Sequence, residues 1–367
     1  MKTIISIVAT LALVGCGSSD SSTGDNVDNG TSPSESSYSA YVPLVNNPST
    51  YICSTTQAEG FDVGIYATSQ SECDTKAQAW LNDFNHEDTP RTQEQVEALT
   101  WINYVRAGAG LPIFKHNAKL EQATANHENY LGDVVGTYNV DTGHYEDNSN
   151  YPSEYYTGAE GTDRAEYAGY DGYWAGDVIS YQRNGTTTTS MVELTTAIYH
   201  RQAMLWNWTN EIGIGGVERN HSFKTQPHLM GAKEERRNFL QALSSVAVIY
   251  PFNGQTEVET TFRGENPDPL PNHDGYTGNP ISITFNASKV SEVEMLSFKL
   301  YEDATNAEVT NVTYMDKVTD PNDRFSNLDF ALFPMDVLKT STLYRVEINY
   351  VLDGEELSKS WTFETRG

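Results

Sequence analysis

The sequence predicts a mixed α/β domain followed by an all-β sandwich, with the change of character near Tyr250-Pro251. Two patterns predict it. Between Thr92 and Tyr250, segments with helical apolar spacing alternate with short strand-like runs, which implies a sheet covered by helices. After Pro251 only strand patterns remain, at Ile281–Phe285, Met295–Tyr301, Glu308–Tyr314 and Leu343–Leu352. In the last of these, Tyr344, Val346, Ile348 and Tyr350 alternate with Arg345, Glu347 and Asn349, as in a half-buried strand.

The chain has 367 residues, enough for two domains and a sizeable core. Its formal net charge of -27 sets it against nucleic acid and anionic lipid headgroups as partners. Residues 1–15 read as a signal peptide: Lys2 is followed by the apolar run Ile4 to Val14, too short to span a bilayer as a mature helix. The ending Leu13-Val14-Gly15-Cys16 resembles the bacterial lipoprotein signal, in which the cysteine is lipidated. Gly17 and Ser18 follow with no Asp after the cysteine, which by the same resemblance favours an outer-membrane or cell-surface anchor. Residues 16–49 are rich in Ser, Asp, Asn and Gly and read as a flexible tether. Residues 50–91 form a small segment around Cys53 and Cys73, which in an exported chain most simply make one disulfide.

The first strong helix starts at Thr92, an N-cap, and ends at Gly108 and Gly110. Val96, Leu99 and Ile102 mark its buried face. A second helix covers about 117–131, with His127 on its core face as a histidine bonded to a backbone carbonyl. Residues 132–189 are rich in loops and tyrosines. A third helix runs from about Thr189 to Trp206 and sets Glu193, Ala197 and His200 on one face. Glu211 to Gly216 and Ala242 to Tyr250 read as strands. Residues 251–367 fit an immunoglobulin-like sandwich, with Asp353-Gly354 as a hairpin turn. No chemical constellation stands out in it, so it reads as a spacer or as a module contacting another protein or the cell wall.

The chemistry concentrates between Gly143 and Arg201, where two histidines, several carboxylates and many tyrosines fall close together. The motifs Ile102-Asn103-Tyr104-Val105-Arg106, Gly110-Leu111-Pro112-Ile113, Leu120/Ala123/His127, Gly143-His144, His200-Arg201 and Glu211-Ile212-Gly213-Ile214-Gly215 follow in a set order over residues 92–250. Together they resemble the CAP superfamily, the SCP-like extracellular domain of cysteine-rich secretory proteins, antigen 5 and plant pathogenesis-related type 1 proteins. Tyr156-Thr157-Gly158, Asp163-Arg164-Ala165 and Gly169-Tyr170 resemble its bacterial branch, in which an immunoglobulin-like module often follows. The resemblance implies a three-layer α-β-α sandwich with a cleft holding two histidines and two glutamates, sometimes with a divalent metal. His144 matches the first histidine and His200 the second. Asp177 stands for one glutamate. Ala197 stands where the other belongs, and Glu193, one turn earlier, is the candidate to compensate.

Two imidazoles with one or two carboxylates suit a zinc or magnesium site, with His144 and His200 as ligands. The same set, with Asp177 and Glu146, could act as acid and base without metal. Tyr145, Tyr173 and Trp174 are candidates for a stacking wall for sugars or lipids, and Arg201 for an anionic group. Asp163, Arg164 and Arg201 also read as structural ion-pairing or loop-capping residues. No Gly-x-Ser-x-Gly elbow or available cysteine supplies a nucleophile. Two functions stay open: a surface lipoprotein whose cleft binds a small apolar or glycan ligand, or a hydrolase of cell-wall or extracellular polymer.

Overall fold

The structure is a computed structural model that describes residues 38–44, 47–55, 63–67, 92–182, 185–216, 224–232 and 234–367. The expected signal peptide, Cys16 and Cys73 lie outside the described residues, as does the side chain of Cys53. Three strands, β1 (Tyr38–Leu44), β2 (Asn47–Thr55) and β3 (Val63–Ala67), form an antiparallel sheet. All of β1 and the start of β2 fall within the expected tether. Tyr38, Tyr41 and Val42 are strand formers, and their preference overrides the polar composition around them.

Helix α1 (Gln93–Gly108) begins as the sequence requires. The Thr92 hydroxyl accepts from the Gln95 amide at 3.2 Å, and the Gln95 side chain accepts from the Thr92 amide at 2.9 Å, a capping box. After β4 (Lys115–His116), Asn117 caps α2 (Ala118–Tyr138) by accepting from the Lys119 and Leu120 amides. Helix α2 runs to Tyr138 and ends at Asn139, whose φ of 55° is the left-handed C-cap conformation. Then come α3 (Gly161–Tyr167), β5 (Trp174–Gln182), α4 (Thr187–Thr196), α5 (Ile198–Met204), β6 (Glu211–Ile214), β7 (Lys224–Ala232) and α6 (Glu234–Leu243).

These elements make three layers. The central sheet has the order β4-β6-β7-β5. Val178, Ile212, Ile214 and Met230 on one face pack with Leu99 and Ile102 of α1 and Met191 and Leu194 of α4. Ala175 and Leu229 on the other face pack with Leu120 and Ala123 of α2 and Ala165 of α3. Helix α2 lies so close to the sheet that a Cβ on Gly213 would sit 2.1 Å from the Leu120–Glu121 backbone. Only glycine fits there.

The expected single helix from Thr189 to Trp206 is two helices, broken at Ala197, where φ is −76° and ψ is 121°. The Thr195 and Thr196 hydroxyls donate back to the Val192 and Glu193 carbonyls at 2.7 Å. Such bonds compete with helix propagation, and two adjacent β-branched residues weaken it further. The break separates Glu193 from His200. Glu193 stays exposed on α4.

The same sheet face buries His228 of β7 beside Ser190 of α4, with Nε2 and Oγ 3.2 Å apart. Burial alone pushes this imidazole down to about 3. The unfolded chain binds this proton near the ordinary 6.5, so the folded state is favoured above that pH and loses stability as the pH falls from 6.5 towards 3. Urea midpoints measured across this window should fall with pH, and the slope should flatten in His228→Gln.

Strand β8 (Ala247–Tyr250) belongs to the second domain, not to the first. It pairs with β10 (Ile281–Phe285), which joins β14 (Asp329–Pro334) and β13 (Val312–Met315) in the order β13-β14-β10-β8, and residues 242–243, expected as strand, end helix α6. Here β9 is Gln255–Val258, β11 Val293–Glu302, β12 Ala307–Glu308, β15 Leu343–Leu352 and β16 Glu355–Thr365. The facing sheet has the order β12-β11-β15-β16-β9. The all-β sandwich is thus present. The two domains share apolar clusters: Val105, Ala109, Leu111 and Leu205 pack into the core of the sandwich, and Ala197 and Ile198 pack with Phe262, Phe325 and Phe333. The buried Arg201 guanidinium lies 4.3 Å over the Tyr250 ring and donates to the Pro280 carbonyl at 2.7 Å. Among the described residues no helix is long and apolar enough to cross a membrane.

Candidate functional site

His144 sits in the loop after α2, and Asp177 in the middle of β5. The His144 Nδ1 lies 3.1 Å from the Asp177 carboxylate. On the opposite wall, His200 lies in the first turn of α5. Its Nδ1 is 2.7 Å from Glu265, which comes from the irregular segment after β9 in the second domain. The two imidazole rings face each other with centroids 6.3 Å apart and an angle of 34° between planes. Each imidazole has its Nδ1 engaged by a carboxylate. Among the described residues neither Nε2 has a hydrogen-bond partner.

The supports differ between the two halves. Arg164 of α3 is fully buried. It places one terminal nitrogen 3.3 Å from Asp177, and donates from the other to the His144 carbonyl at 3.1 Å and the Ala159 carbonyl at 3.3 Å. One guanidinium therefore fixes both members of the His144–Asp177 pair. Glu265 does two tasks. Besides meeting the His200 ring, it accepts from the Tyr199 amide at 3.1 Å and the His200 amide at 3.3 Å. Ala197 gives α5 no side-chain cap, so Glu265 supplies the cap from the neighbouring domain.

Electrostatics follow this geometry. Burial alone would raise the Asp177 pKa, but the His144 hydrogen bond and the charges of His144 and Arg164 outweigh it and hold the carboxyl below its usual range. Burial works against a charged His144, yet the Asp177 hydrogen bond and charge win and raise the imidazole above its ordinary value. The His144 side chain keeps 40% of its surface exposed, so its outer nitrogen is accessible.

His144, Asp177 and His200 line a cleft of about 780 Å3 between the domains. Tyr145 and Trp174 also line it, and Arg324 and Asp329 contribute from the sandwich side. Other expected site residues are elsewhere. Tyr173 is exposed and does not line the cleft. Arg201 reaches the lining, but its guanidinium is turned into the domain interface. Glu146 is buried away from the two site histidines: it meets His127 Nδ1 at 3.0 Å and accepts from the Thr157 and Gly158 amides. His127 bonds the Gly143 carbonyl at 3.0 Å through its other nitrogen. The pair thus pins the loop that carries His144. Glu193 lies on the outer face of α4.

Glu265, Trp206, Trp208 and Arg237 were not legible as site residues. Glu265 gives no local signal, because it sits in a loop 65 residues from its partner. Trp206-Asn207-Trp208 did carry one: two of the six tryptophans fall within three residues, directly after the helix that holds His200.

Residues 99–226 match the model of the cysteine-rich secretory protein family, CAP. The match covers about a third of the chain and falls within the first of the two folded domains. No curated protein matches the chain. Among solved structures, an outer surface protein from Borrelia burgdorferi aligns with 41% of this chain and all of its own, at 12% identity and a TM-score of 0.32. The likeness is too distant to carry an argument. Where the family resemblance left Ala197 without a carboxylate, Glu265 of the second domain stands beside His200.

Among the described residues no three His, Cys, Asp or Glu side chains are gathered as a metal site. What the CAP cleft offers is two imidazoles whose carboxylate partners would orient them, as outer-shell carboxylates do for metal-bound histidines. With zinc–nitrogen bonds of about 2.0–2.1 Å, two rings on one tetrahedral ion would have centroids about 5 Å apart. The observed 6.3 Å is wider.

Proposed function

We propose that this protein is an exported surface lipoprotein whose inter-domain cleft binds a small glycan or apolar ligand, with His144 and His200 contributing a divalent ion site. The observation that carries the reading is the pair of histidine–carboxylate couples facing each other across the cleft, each locked by buried groups. Preorganised polar groups in a pocket of several hundred Å3 are the usual form of a ligand site. Binding is favoured over hydrolysis because, among the described residues, neither imidazole is bonded to a hydroxyl or thiol that it could activate. Such an ion would lend Lewis acidity and a further ligand position. The anchor rests on the signal ending in Cys16, which favours the outer membrane or cell surface.

Metal analysis and zinc or magnesium titration of the purified protein test this reading. Wild type should bind one divalent ion, and His144→Ala plus His200→Ala should lose it. A wild type that takes up no ion removes the metal from the proposal. A double variant that keeps all ion and ligand binding places the site elsewhere.

A further inference from the structure

At one end of the same cleft three partly exposed tryptophans meet. Trp206 and Trp208 stack at 5.0 Å with 18° between planes. Trp174 stands nearly upright against both, at 5.2 Å and 4.8 Å. The result is an aromatic corner with two walls. The corner is built in place. Trp174 packs across Gly176, where a Cβ would come within 2.5 Å of the indole. The Trp206–Trp208 loop is tied from below by the buried Arg106, which donates to the carbonyls of Met204 at 2.7 Å, Trp206 at 3.2 Å and Thr209 at 2.8 Å. From the side, Gln241 and Ser244 bond Asn207.

Arg237 closes the corner, with its guanidinium 5.3 Å over the Trp208 ring. Among the described residues it pairs with no carboxylate. This is notable in a chain with 50 acidic and 23 basic residues. Arg324 stands on the same cleft from the sandwich side, exposed, and its guanidinium likewise meets no carboxylate among the described residues.

We propose that this corner is a subsite for an acidic sugar: a pyranose ring stacked on the indoles, with its carboxylate at Arg237. The inference rests on the reading of the cleft as a ligand site and names its ligand class. Three chemistries could use an aromatic corner. A quaternary ammonium would be repelled by the guanidinium already present. A purely apolar chain would desolvate Arg237 without giving it a partner. A sugar acid matches both features, because a pyranose has an apolar C–H face for the indoles and a carboxylate suits the planar fork of arginine. The cleft continues from the corner past His144 and His200, so an oligosaccharide has room for more than one ring.

The test is calorimetric titration of the full chain with a galacturonic-acid trisaccharide and a glucuronic-acid trisaccharide, each against its neutral counterpart, with tryptophan fluorescence read alongside. At least one acidic trisaccharide should bind, shift the tryptophan emission and weaken with added salt. Trp208→Ala should cost at least tenfold in affinity, and Arg237→Gln, at an exposed position where folding is not at risk, should remove the preference for the acidic form. His144→Ala plus His200→Ala should lose ion binding while keeping fluorescence-detected sugar binding, which separates this subsite from the histidine site. The proposal is overturned if neutral and acidic sugars bind alike, if no acidic trisaccharide binds, if Arg237→Gln changes nothing, or if an aromatic acid such as benzoate takes the corner in place of the sugars.

Discussion

Glu265→Ala should detach His200 from its present orientation and weaken whatever the histidine pair binds by about 10–100-fold, the range seen when outer-shell partners of metal-bound histidines are removed. Two separate losses produce this. The imidazole loses the carboxylate that holds its Nδ1 at 2.7 Å. The first turn of α5 also loses its acceptor for the Tyr199 and His200 amides. A lost cap costs about 0.5–2 kcal/mol. Glu265→Gln distinguishes the two, because its amide oxygen still accepts from the backbone while the negative charge beside the ring is gone. Global stability by urea unfolding should therefore fall in the alanine variant and largely recover in the glutamine variant, whereas ion affinity should stay reduced in both. Unchanged affinity in Glu265→Ala would show that Glu265 does not hold His200 for binding.

Arg164→Ala should be the most damaging single change near the cleft, by about 3–5 kcal/mol. The guanidinium is fully buried, and its removal leaves the buried Asp177 carboxylate with only the partly exposed His144 imidazole as partner, beside a vacated volume. The His144 carbonyl and the Ala159 carbonyl would lose their donor as well. Lysine cannot repair this, because a single ammonium cannot reach the carboxylate and both carbonyls in the fork geometry of arginine. Urea midpoints for Arg164→Ala and Arg164→Lys should both drop well below wild type. A drop under about 1 kcal/mol in the alanine variant would mean that solvent reaches Asp177 and that the burial argument fails.

The architecture was legible where local chemistry decides it. Thr92 and Asn117 announced their helices through side chains that bond the next turn, and the alternation in Leu343–Leu352 announced a strand with one buried face. The histidine pair was legible through the order of motifs around it. What escaped depends on contacts far apart in sequence. The break at Ala197 leans on a carboxylate from another domain. Glu146 looked available beside His144, but its loop turns it inward to His127, a pairing that no local spacing reveals. Strand β8 looked like the end of the first domain because its partner, β10, lies beyond an intervening irregular stretch.

That last strand bears on how the chain can be divided. A fragment cut after Tyr250 would carry β8 without β10, leaving a row of unpaired backbone groups at an open edge that invites association with other copies. It would also bare Leu111 and Leu205, now covered by the sandwich. The smallest portable piece of this protein therefore runs through both folds. Duplication or exchange of the first alone would transfer a half-walled cleft whose second histidine has no carboxylate.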